Sequence, residues 1–383
     1  MPDLSQVTIG NDKFFVIKDI DLLRPFFMNI VSESDHWMFM SSNGGLTAGR
    51  RNSEFSLFPY YTDDKITESV EVTGSKSIFR VKKGGAVHLW EPFSIRGEGL
   101  FQVSRNLYKH EFGHKVMFEE INHDLGLSFR YRWSSADEFG FVRHSLLKNV
   151  GEETQEVQVL DGLQNVLPAG VESYTQNFYS NLVDAYKRSE LHPAAGVGIF
   201  ALSAIIVDKA EPSEALKANV AWSMGLDAPK YLLSSQQLGA FRTTGLVQTE
   251  QDVKGEKGAY FVQKNLRLDS GQEQGWTIVA NVNQNQAGVI ELIQRLTQDH
   301  TLGEALQADI DRGTQRLKTL NATADALQGT ADPLRDARHF SNVLFNIMRG
   351  GIFDHNYEIE KGDFTRYLAK ANKEVYRTQT DFL

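Results

Sequence analysis

Cysteine is absent from the 383 residues, which excludes disulfide bonds, thiol catalysis and cysteine-ligated zinc or iron–sulfur centres. No run of lysine or arginine occurs and the formal net charge is −9, so we expect neither nucleic acid nor a membrane surface as a partner. The longest apolar run, GVGIFALSAIIV at residues 196–207, is too short to cross a bilayer as a helix and is typical of a buried strand. The opening MPDLSQVTIG lacks a charged segment followed by an apolar one, the pattern of a secretory signal. We therefore expect a cytoplasmic protein.

Strand-like alternation of apolar and polar residues dominates the first three quarters of the chain. It is clear in SIFRVKK at 77–83, in LSFRYRW at 127–133 and in QEVQVLDGL at 155–163. Turn residues separate such runs about every ten residues, a spacing typical of large antiparallel sheets. The pattern predicts a mainly β domain.

Helical periodicity replaces this alternation after residue 285. NVNQNQAG at 281–288 reads as a polar turn, and Asp332 with Pro333 has the form of an N-cap followed by proline at the first helical position. A capping box at Thr301 and Glu304 marks another helix start. The apolar residues with helical spacing are Val289, Ile290, Ile293, Leu296, Leu302, Leu306, Ile310, Phe364, Leu368, Ala371 and Val375. We predict a β domain over 1–285 and a helical segment over 286–383.

Residues 109–115 read KHEFGHK, and His110, Glu111 and His114 match the H-E-x-x-H pattern of zinc proteases. That pattern binds zinc only on a helix, where both histidines share one face. The flanking sequences FQV and VMF alternate as strands do, and Gly113 would cost a helix about 1 kcal/mol relative to alanine. We therefore predict a hairpin turn with Gly113 at positive φ, and no metal site.

One longer resemblance comes from three stretches in a fixed order. They are residues 24–66, which begin RPFFMN and contain SSNGG; LWEPF at 89–93; and residues 129–168, which contain SLLKNVGEETQEVQVLDGLQ. In the order and the general residue pattern of these stretches, residues 20–285 resemble the N-terminal part of the cellobiose phosphorylase-like enzymes. This is the former glycosyltransferase 36 group of glycoside phosphorylases and hydrolases.

The resemblance implies a galactose mutarotase-like antiparallel β super-sandwich followed by a C-terminal helical segment. Residues 286–330 would correspond to the family's linker helices and 331–383 to the first helices of its (α/α)₆ barrel, truncated or small here. The family's general acid is a carboxylate of the barrel, past residue 383, so the resemblance implies no catalytic residue and no cofactor in this chain. Its implied partners are a sugar or oligosaccharide, phosphate, and a second copy of the chain.

Candidate binding residues are aromatic side chains and planar polar groups, the types that stack on sugars and pair with hydroxyls. Arg50, followed by Arg51, suits a carboxylate or a phosphate. The alternatives are a core position for each tryptophan, a self-bonded turn at 63–64, and a solvated strand end for the arginines. The full set of candidates is Trp37, Arg50, Asp63, Asp64, Trp90, Glu91, Gln164 and Asn165.

These residues favour a carbohydrate-active module that is non-catalytic by itself. The alternatives are a glycan-binding protein or a stand-alone mutarotase-like enzyme, with His144 or His123 as acid and Glu172 as base. Glu119 and Glu120 are neighbours on one strand and should point to opposite faces, so they cannot form a single acid–base pair.

Overall fold

The computed structural model describes residues 4–204, 216–351, 358–379 and 381–382, and for Asp63 it describes the backbone. The chain divides into two compact units, Met1–Gly313 and Thr314–Leu383. Strands occur in the first unit, where they form three antiparallel sheets.

An eleven-stranded sheet is the largest element of the first unit. Its strands are β1 (Leu4–Ile9), β2 (Asp12–Ile17), β8 (Val103–His110), β9 (Val116–Asn122), β10 (Leu127–Ala136), β11 (Gly140–Asn149), β13 (Lys187–His192), β14 (Val197–Leu202), β15 (Lys217–Met224), β17 (Asp252–Lys254) and β19 (Glu273–Asn285). Their order in the sheet is β1-β2-β8-β9-β10-β11-β19-β15-β14-β13-β17.

A five-stranded sheet and a three-stranded sheet complete the sandwich. The five-stranded sheet has the order β16-β18-β12-β6-β7, with β6 (Gly74–Lys83), β7 (Ala86–Trp90), β12 (Gln155–Val166), β16 (Lys230–Leu232) and β18 (Gly258–Leu268). The three-stranded sheet consists of β3 (Phe27–Ile30), β4 (His36–Ser41) and β5 (Leu46–Arg50).

One apolar core joins the three sheets, because alternate side chains of each strand point inward. On β10, Phe129 and Trp133 are buried in that core, whereas Arg130 and Arg132 lie on the outer face of the eleven-stranded sheet. The predicted fold class, a mainly β antiparallel super-sandwich followed by C-terminal helices, is confirmed.

The helices include four short ones among the strands and five near the C-terminus. The short ones are α1 (Asp63–Glu68), α2 (Ser173–Phe178), α3 (Ser180–Tyr186) and α4 (Leu238–Thr244); the others are α5 (Gln286–Gln298), α6 (Leu302–Ala322), α7 (Pro333–Met348), α8 (Lys361–Ala371) and α9 (Lys373–Thr378). Every helix in the described part of the chain is too short or too polar to span a membrane.

The predicted helix starts and faces are largely confirmed. Asp332 caps α7 by accepting bonds from the amides of Leu334 and Arg335, and Pro333 is its first residue. The apolar face of α6, formed by Leu302, Leu306 and Ile310, packs on the outer face of the eleven-stranded sheet.

Three details of the helical segment differ from the prediction. Residues 281–285 are not a turn, because they continue β19 to Asn285. Ile290 is 48% exposed and does not join the buried side of α5. In α8, Phe364 is 36% exposed and no residue is buried. The change from strand to helix falls between Asn285 and Gln286, while the domain boundary at 285 stays a prediction.

The KHEFGHK segment is a hairpin turn, as predicted. His110 ends β8, Val116 begins β9, and Gly113 has φ +76°. The amide of Gly113 donates to the carbonyl of His110 at 2.8 Å, which closes the turn. The helical context that a zinc protease needs is therefore replaced by two strands.

Candidate functional site

The three-stranded sheet has one face on the core and one that carries aromatic side chains. Alternation along β3 and β4 separates the two sets. Phe27, Trp37 and Phe39 lie on the face away from the core, and Phe27 is 45% exposed. The core-facing set is Met28, Ile30, Met38, Met40, Leu46 and Ala48.

Four aromatic rings form a continuous row on this outward face, which we call the aromatic face: Phe27, Phe39, Trp37 and Tyr60. Ring centroids are 5.7 Å apart between Phe27 and Phe39 and 5.9 Å apart between Phe39 and Trp37, with interplanar angles of 25° and 29°. Tyr60 meets Trp37 edge-on at 5.4 Å. Such ring pairs stabilise each other, so the row is held in a defined orientation.

Gly49 of β5 makes room for the Trp37 indole. Gly49 is the register partner of Trp37, and a methyl group at Gly49 would overlap the indole ring. The indole nitrogen donates to the carbonyl of Asn52 at 3.1 Å, which fixes the ring further. Sequence analysis selected Trp37 but missed Phe27, Phe39 and Tyr60. The two-residue spacing of Trp37 and Phe39 in HWMFMS was the available signal.

Arg50 is engaged by acidic residues at the end of β5. Its Nε lies 2.6 Å from Asp35 Oδ1, and its Nη1 donates to the carbonyl of Asp137 at 3.0 Å. Arg51 has φ +61° and also pairs with Asp35, at 3.5 Å, but its side chain is 70% exposed. Of the two predicted anion-binding arginines, Arg51 is therefore the accessible one.

Asp63 and Asp64 begin α1, three and four residues after Tyr60. Asp64 is exposed to solvent, while the Asp63 side chain lies outside the described part. The self-bonded turn considered as an alternative is a helix start instead. This segment joins the aromatic face through the contact of Tyr60 with Trp37.

Trp90 and Glu91 lie in the sandwich rather than on an open surface. Trp90 is 2% exposed, and its Nε1 donates to Glu120 Oε1 at 2.7 Å. Glu91 pairs with Lys76 at 2.9 Å and with Arg242 at 2.6 Å. Burial opposes ionisation of Glu91, but the bonds from Arg242 and Lys76 outweigh it and lower the pKa of Glu91. Both residues therefore occupy structural positions.

Gln164 and Asn165 are buried at a β-bulge near the end of β12. Asn165 has φ +56°, and its side-chain amide donates to Thr73 Oγ1 at 2.9 Å. The polar break in the sequence thus marks an irregular strand. Among the predicted residues, the structure brings Trp37, Arg50 and the 63–64 pair into one region, and buries the other four elsewhere.

Adjacent carboxylates of β9 point to opposite faces, as predicted. Glu120 points into the sandwich, where it accepts bonds from Trp90, the amide of Phe93 and Arg105. Glu119 points to the outer face of the eleven-stranded sheet. The two therefore cannot act as one acid–base pair.

Glu119 is the centre of a hydrogen-bond network on that outer face. It accepts bonds from Tyr108, Asn106 and Arg130, with Arg130 Nε at 2.6 Å. Burial alone would raise the pKa of Glu119, but these bonds and the Arg130 charge lower it. At neutral pH this carboxylate is ionised and fully bonded, which suits a positioning role and not a proton donor.

The three residues considered for a mutarotase-like reaction lie in different places. His144 is on the outer face of β11, with its Nδ1 3.0 Å from Thr277 Oγ1. His123 follows β9 and lies 2.9 Å from Ser104 Oγ, and Glu172 precedes α2. In residues 4–204, which include all three, no hydrogen bond or ion pair joins them. The structure therefore gives no acid–base pair from this set.

The histidines of KHEFGHK are close together despite the hairpin. The ring centroids of His110 and His114 are 4.4 Å apart, and His110 Nε2 lies 3.3 Å from Asp12 Oδ1. Lys115 Nζ is 2.8 Å from the same carboxylate. Within the described residues, no group of three or more histidines and carboxylates is arranged to hold a metal ion.

Comparison with known families and curated proteins gives one short match. Residues 353–383 match the family model for glycoside hydrolase family 149 insertion domain 1. No curated protein sequence matches the chain significantly.

Several solved structures are similar to the chain at low identity. A bacterial glucoamylase complexed with acarbose has 10% identity and a TM-score of 0.40, over 88% of this chain and 42% of the glucoamylase. A polysaccharide lyase has 14% identity and a TM-score of 0.35, over 70% of this chain and 34% of the lyase. A galactose mutarotase-like protein from Clostridium acetobutylicum has 10% identity and a TM-score of 0.36, over 74% of this chain and 99% of that protein. The chain thus spans less than half the length of the glucoamylase and of the lyase.

Proposed function

We propose that this chain is a carbohydrate-recognising module, the sandwich and linker portion of a glycoside phosphorylase- or hydrolase-like protein. The proposed ligand is an oligosaccharide bound on the aromatic face. The observation that carries the proposal is the alignment of four aromatic side chains, Phe27, Phe39, Trp37 and Tyr60, on a sheet face away from the core.

Oligosaccharides suit such a row for a physical reason. Sugar rings present apolar C–H faces, which pack on aromatic side chains, while their hydroxyls need polar partners at the edges. Arg51 and Asp64, both exposed, lie in the segments that border the row and supply planar polar groups. Trp37 already has a fixed orientation above Gly49. Binding a ligand therefore costs less conformational entropy than it would if the ring had to be ordered.

Two further observations support the carbohydrate assignment. The resemblance of residues 20–285 to cellobiose phosphorylase-like enzymes concerns the part of the chain that carries the aromatic face. The match of residues 353–383 concerns an insertion domain of a glycoside hydrolase family. Any phosphorolysis or hydrolysis would rest on a carboxylate of a helical barrel, and the module proposed here would hold the saccharide for it.

The test is a titration of the protein with neutral gluco-oligosaccharides, followed by calorimetry and by the tryptophan indole signals in NMR spectra. We expect binding that Phe27→Ala weakens at least tenfold and that Trp37→Ala abolishes. Phe27 is the better first variant, because its exposure of 45% makes a folding defect small. Tyr367→Ala is the matched control, since Tyr367 is an exposed aromatic residue of α8 in the other compact unit.

Two results would count against the proposal. One is the lack of any spectral change at millimolar oligosaccharide, and the other is equal affinity in Phe27→Ala and the unmodified protein. Acceleration of glucose or galactose anomer exchange, measured by polarimetry, would instead favour a stand-alone enzyme on the sandwich.

A further inference from the structure

A row of side chains crosses five neighbouring strands on the outer face of the eleven-stranded sheet. Strand register places Met117, Arg132, His144, Thr277 and Met224 side by side on β9, β10, β11, β19 and β15. The next row along the strands, towards α6, carries the apolar residues on which that helix packs. The Arg132 row therefore lies beside α6 and is polar at its centre.

Arg132 differs from the other members of this row because it carries a charge that lacks hydrogen-bond partners among the described residues. Its guanidinium makes no hydrogen bond within the described part of the chain, and its Nε is buried. The nearest carboxylate contact is 3.7 Å, from Nη1 to Asp12 Oδ2. A guanidinium carries five N–H donors and keeps its charge in proteins, so partner groups for those donors are expected.

The neighbouring acidic residues are already paired with other donors. Asp12 accepts bonds from Lys115 Nζ at 2.9 and 2.8 Å. Asp311 of α6 accepts a bond from Gln307 at 2.9 Å. Asp12 forms an ion pair with Arg132 at 3.7 Å without a hydrogen bond, and the Asp311 charge also acts on Arg132; both oppose the lowering of its pKa by burial. Because Nε is buried, the donors that remain available to a ligand are those of Nη1 and Nη2.

His144 stands next to Arg132 and adds a neutral partner. Burial, reinforced by the Arg132 charge, lowers the pKa of His144 to about 4, so the ring is neutral near pH 7. Its Nδ1 is engaged with Thr277 Oγ1 at 3.0 Å, which leaves the other ring nitrogen to donate or accept. The neighbouring Gly275 lacks a side chain, and a methyl group there would lie 3.3 Å from His144 Cε1.

We propose that Arg132, with His144 and Thr277, binds a compact anionic group, the carboxylate of a sugar acid or the phosphate of a sugar phosphate. A guanidinium matches both groups because its fork forms two parallel hydrogen bonds to a carboxylate or a phosphate. The ring nitrogen of His144 and the Thr277 hydroxyl would bond the sugar hydroxyl next to the anion.

This site uses no residue of the aromatic face and therefore stands apart from the proposed function. Neutral oligosaccharides test the aromatic face, and anionic monosaccharides test the Arg132 site. Loss of one kind of binding with retention of the other tells which of the two proposals has failed.

The experiment is a calorimetric and NMR titration with four probes: glucuronate, glucose 6-phosphate, inorganic phosphate and neutral glucose. We expect at least one anionic probe to bind and to shift the imidazole signals of His144, and glucose to bind at least tenfold more weakly. Arg132→Gln should weaken anion binding at least tenfold. Arg267→Gln should leave it unchanged; Arg267 is an exposed arginine of β18 that forms no ion pair among the described residues.

The probes also distinguish the two ligand sources. Tight glucuronate binding alone supports the carboxylate form of the site, and binding of glucose 6-phosphate and inorganic phosphate supports the phosphate form. Arg132→Lys, which keeps the charge and loses the fork, should also weaken binding and serves if Arg132→Gln does not fold. Equal affinity in the Arg132 variants, or no binding of any anion, would overturn the proposal.

Discussion

Arg143 and Asp161 form a two-bond ion pair with no solvent exposure, and it joins the eleven-stranded sheet to the five-stranded one. Arg143 Nη1 lies 2.6 Å from Asp161 Oδ2, and Nη2 lies 3.0 Å from Oδ1. Ser145 and Trp276 donate to the same carboxylate at 3.0 and 2.7 Å. The carboxylate of Asp161 is thus bonded from several sides inside the sandwich.

Removal of one partner should destabilise the sandwich strongly. Arg143→Met leaves Asp161 as a buried charge without its counter-ion, and loss of one member of such a pair costs about 3–5 kcal/mol. Urea unfolding followed by tryptophan fluorescence measures the change. Lys82→Ala is the control, because Lys82 and Glu156 form an exposed pair at 3.1 Å, and exposed pairs contribute about 0–1 kcal/mol. Equal effects of the two variants would contradict the argument.

Gly49→Ala should disturb the aromatic face. The added methyl group would overlap the Trp37 ring and lie 2.5 Å from the carbonyl oxygen of Phe55. Overpacking of this kind costs about 1–3 kcal/mol, and the displaced indole should lose oligosaccharide affinity. Gly239→Ala is the matched control in α4, where a methyl group meets nothing within 4 Å; it should stabilise the helix by about 1 kcal/mol. An unchanged Trp37 indole signal in Gly49→Ala would contradict the prediction.

Acid should destabilise the fold through His36. Burial, reinforced by the Arg50 charge, lowers the pKa of His36 from 6.5 to about 4. The unfolded chain therefore binds the proton more readily, so stability is fully present above pH 6.5 and falls as the pH drops towards 4. The loss amounts to about 3 kcal/mol at most. Urea midpoints between pH 7 and 4.5 measure it, and His36→Asn should make the profile shallower, with the part due to His144 retained; an unchanged slope in that variant would exclude His36 as a cause.

Asp332→Ala should weaken α7. The Asp332 carboxylate accepts bonds from the amides of Leu334 and Arg335 at 3.1 and 3.2 Å. Replacement of such a cap by alanine costs about 1 kcal/mol. Hydrogen exchange of the first-turn amides of α7 reports the change directly. Asp332→Asn retains a capping oxygen and should exchange slowly, so rapid exchange in both variants would show that the cap contributes little.

Alternation and capping rules were enough to predict the strands at 77–83, 127–133 and 155–163, the hairpin at Gly113 and the start of α7. These features depend on local chemistry, because a strand with one buried face must alternate and a helix needs a cap. The wrong prediction of a turn at residues 281–285 arose because strand pairing, which is not local, decides the structure there. Asn281, Asn283 and Asn285 look like turn residues, yet β19 continues through them, because Asn281 and Asn285 pair with β15 and Asn283, at φ +59°, lies in the irregularity between those pairs.

The composition of the candidate sites depends on which strands pair and in what register, and a single sequence does not show this. Trp90 and Trp37 both lie in strand-like stretches of sequence, but Trp90 is in the core and Trp37 faces outward. Arg132 and His144 were not recognised as neighbours, because their adjacency follows from the register of β10 with β11. Composition suggested which side chains suit a sugar, whereas sheet topology decides which of them are accessible.

Adjacent Glu119 and Glu120 also affect how the chain can fold. A slip of β9 by one residue would exchange their faces and bring a carboxylate bonded to Tyr108 and Arg130 into the interior. Trp90 and Arg105 would then lose the acceptor that Glu120 provides. The two neighbouring carboxylates therefore help to fix the register of the central strands. Folding intermediates in which β9 is shifted by one residue are destabilised.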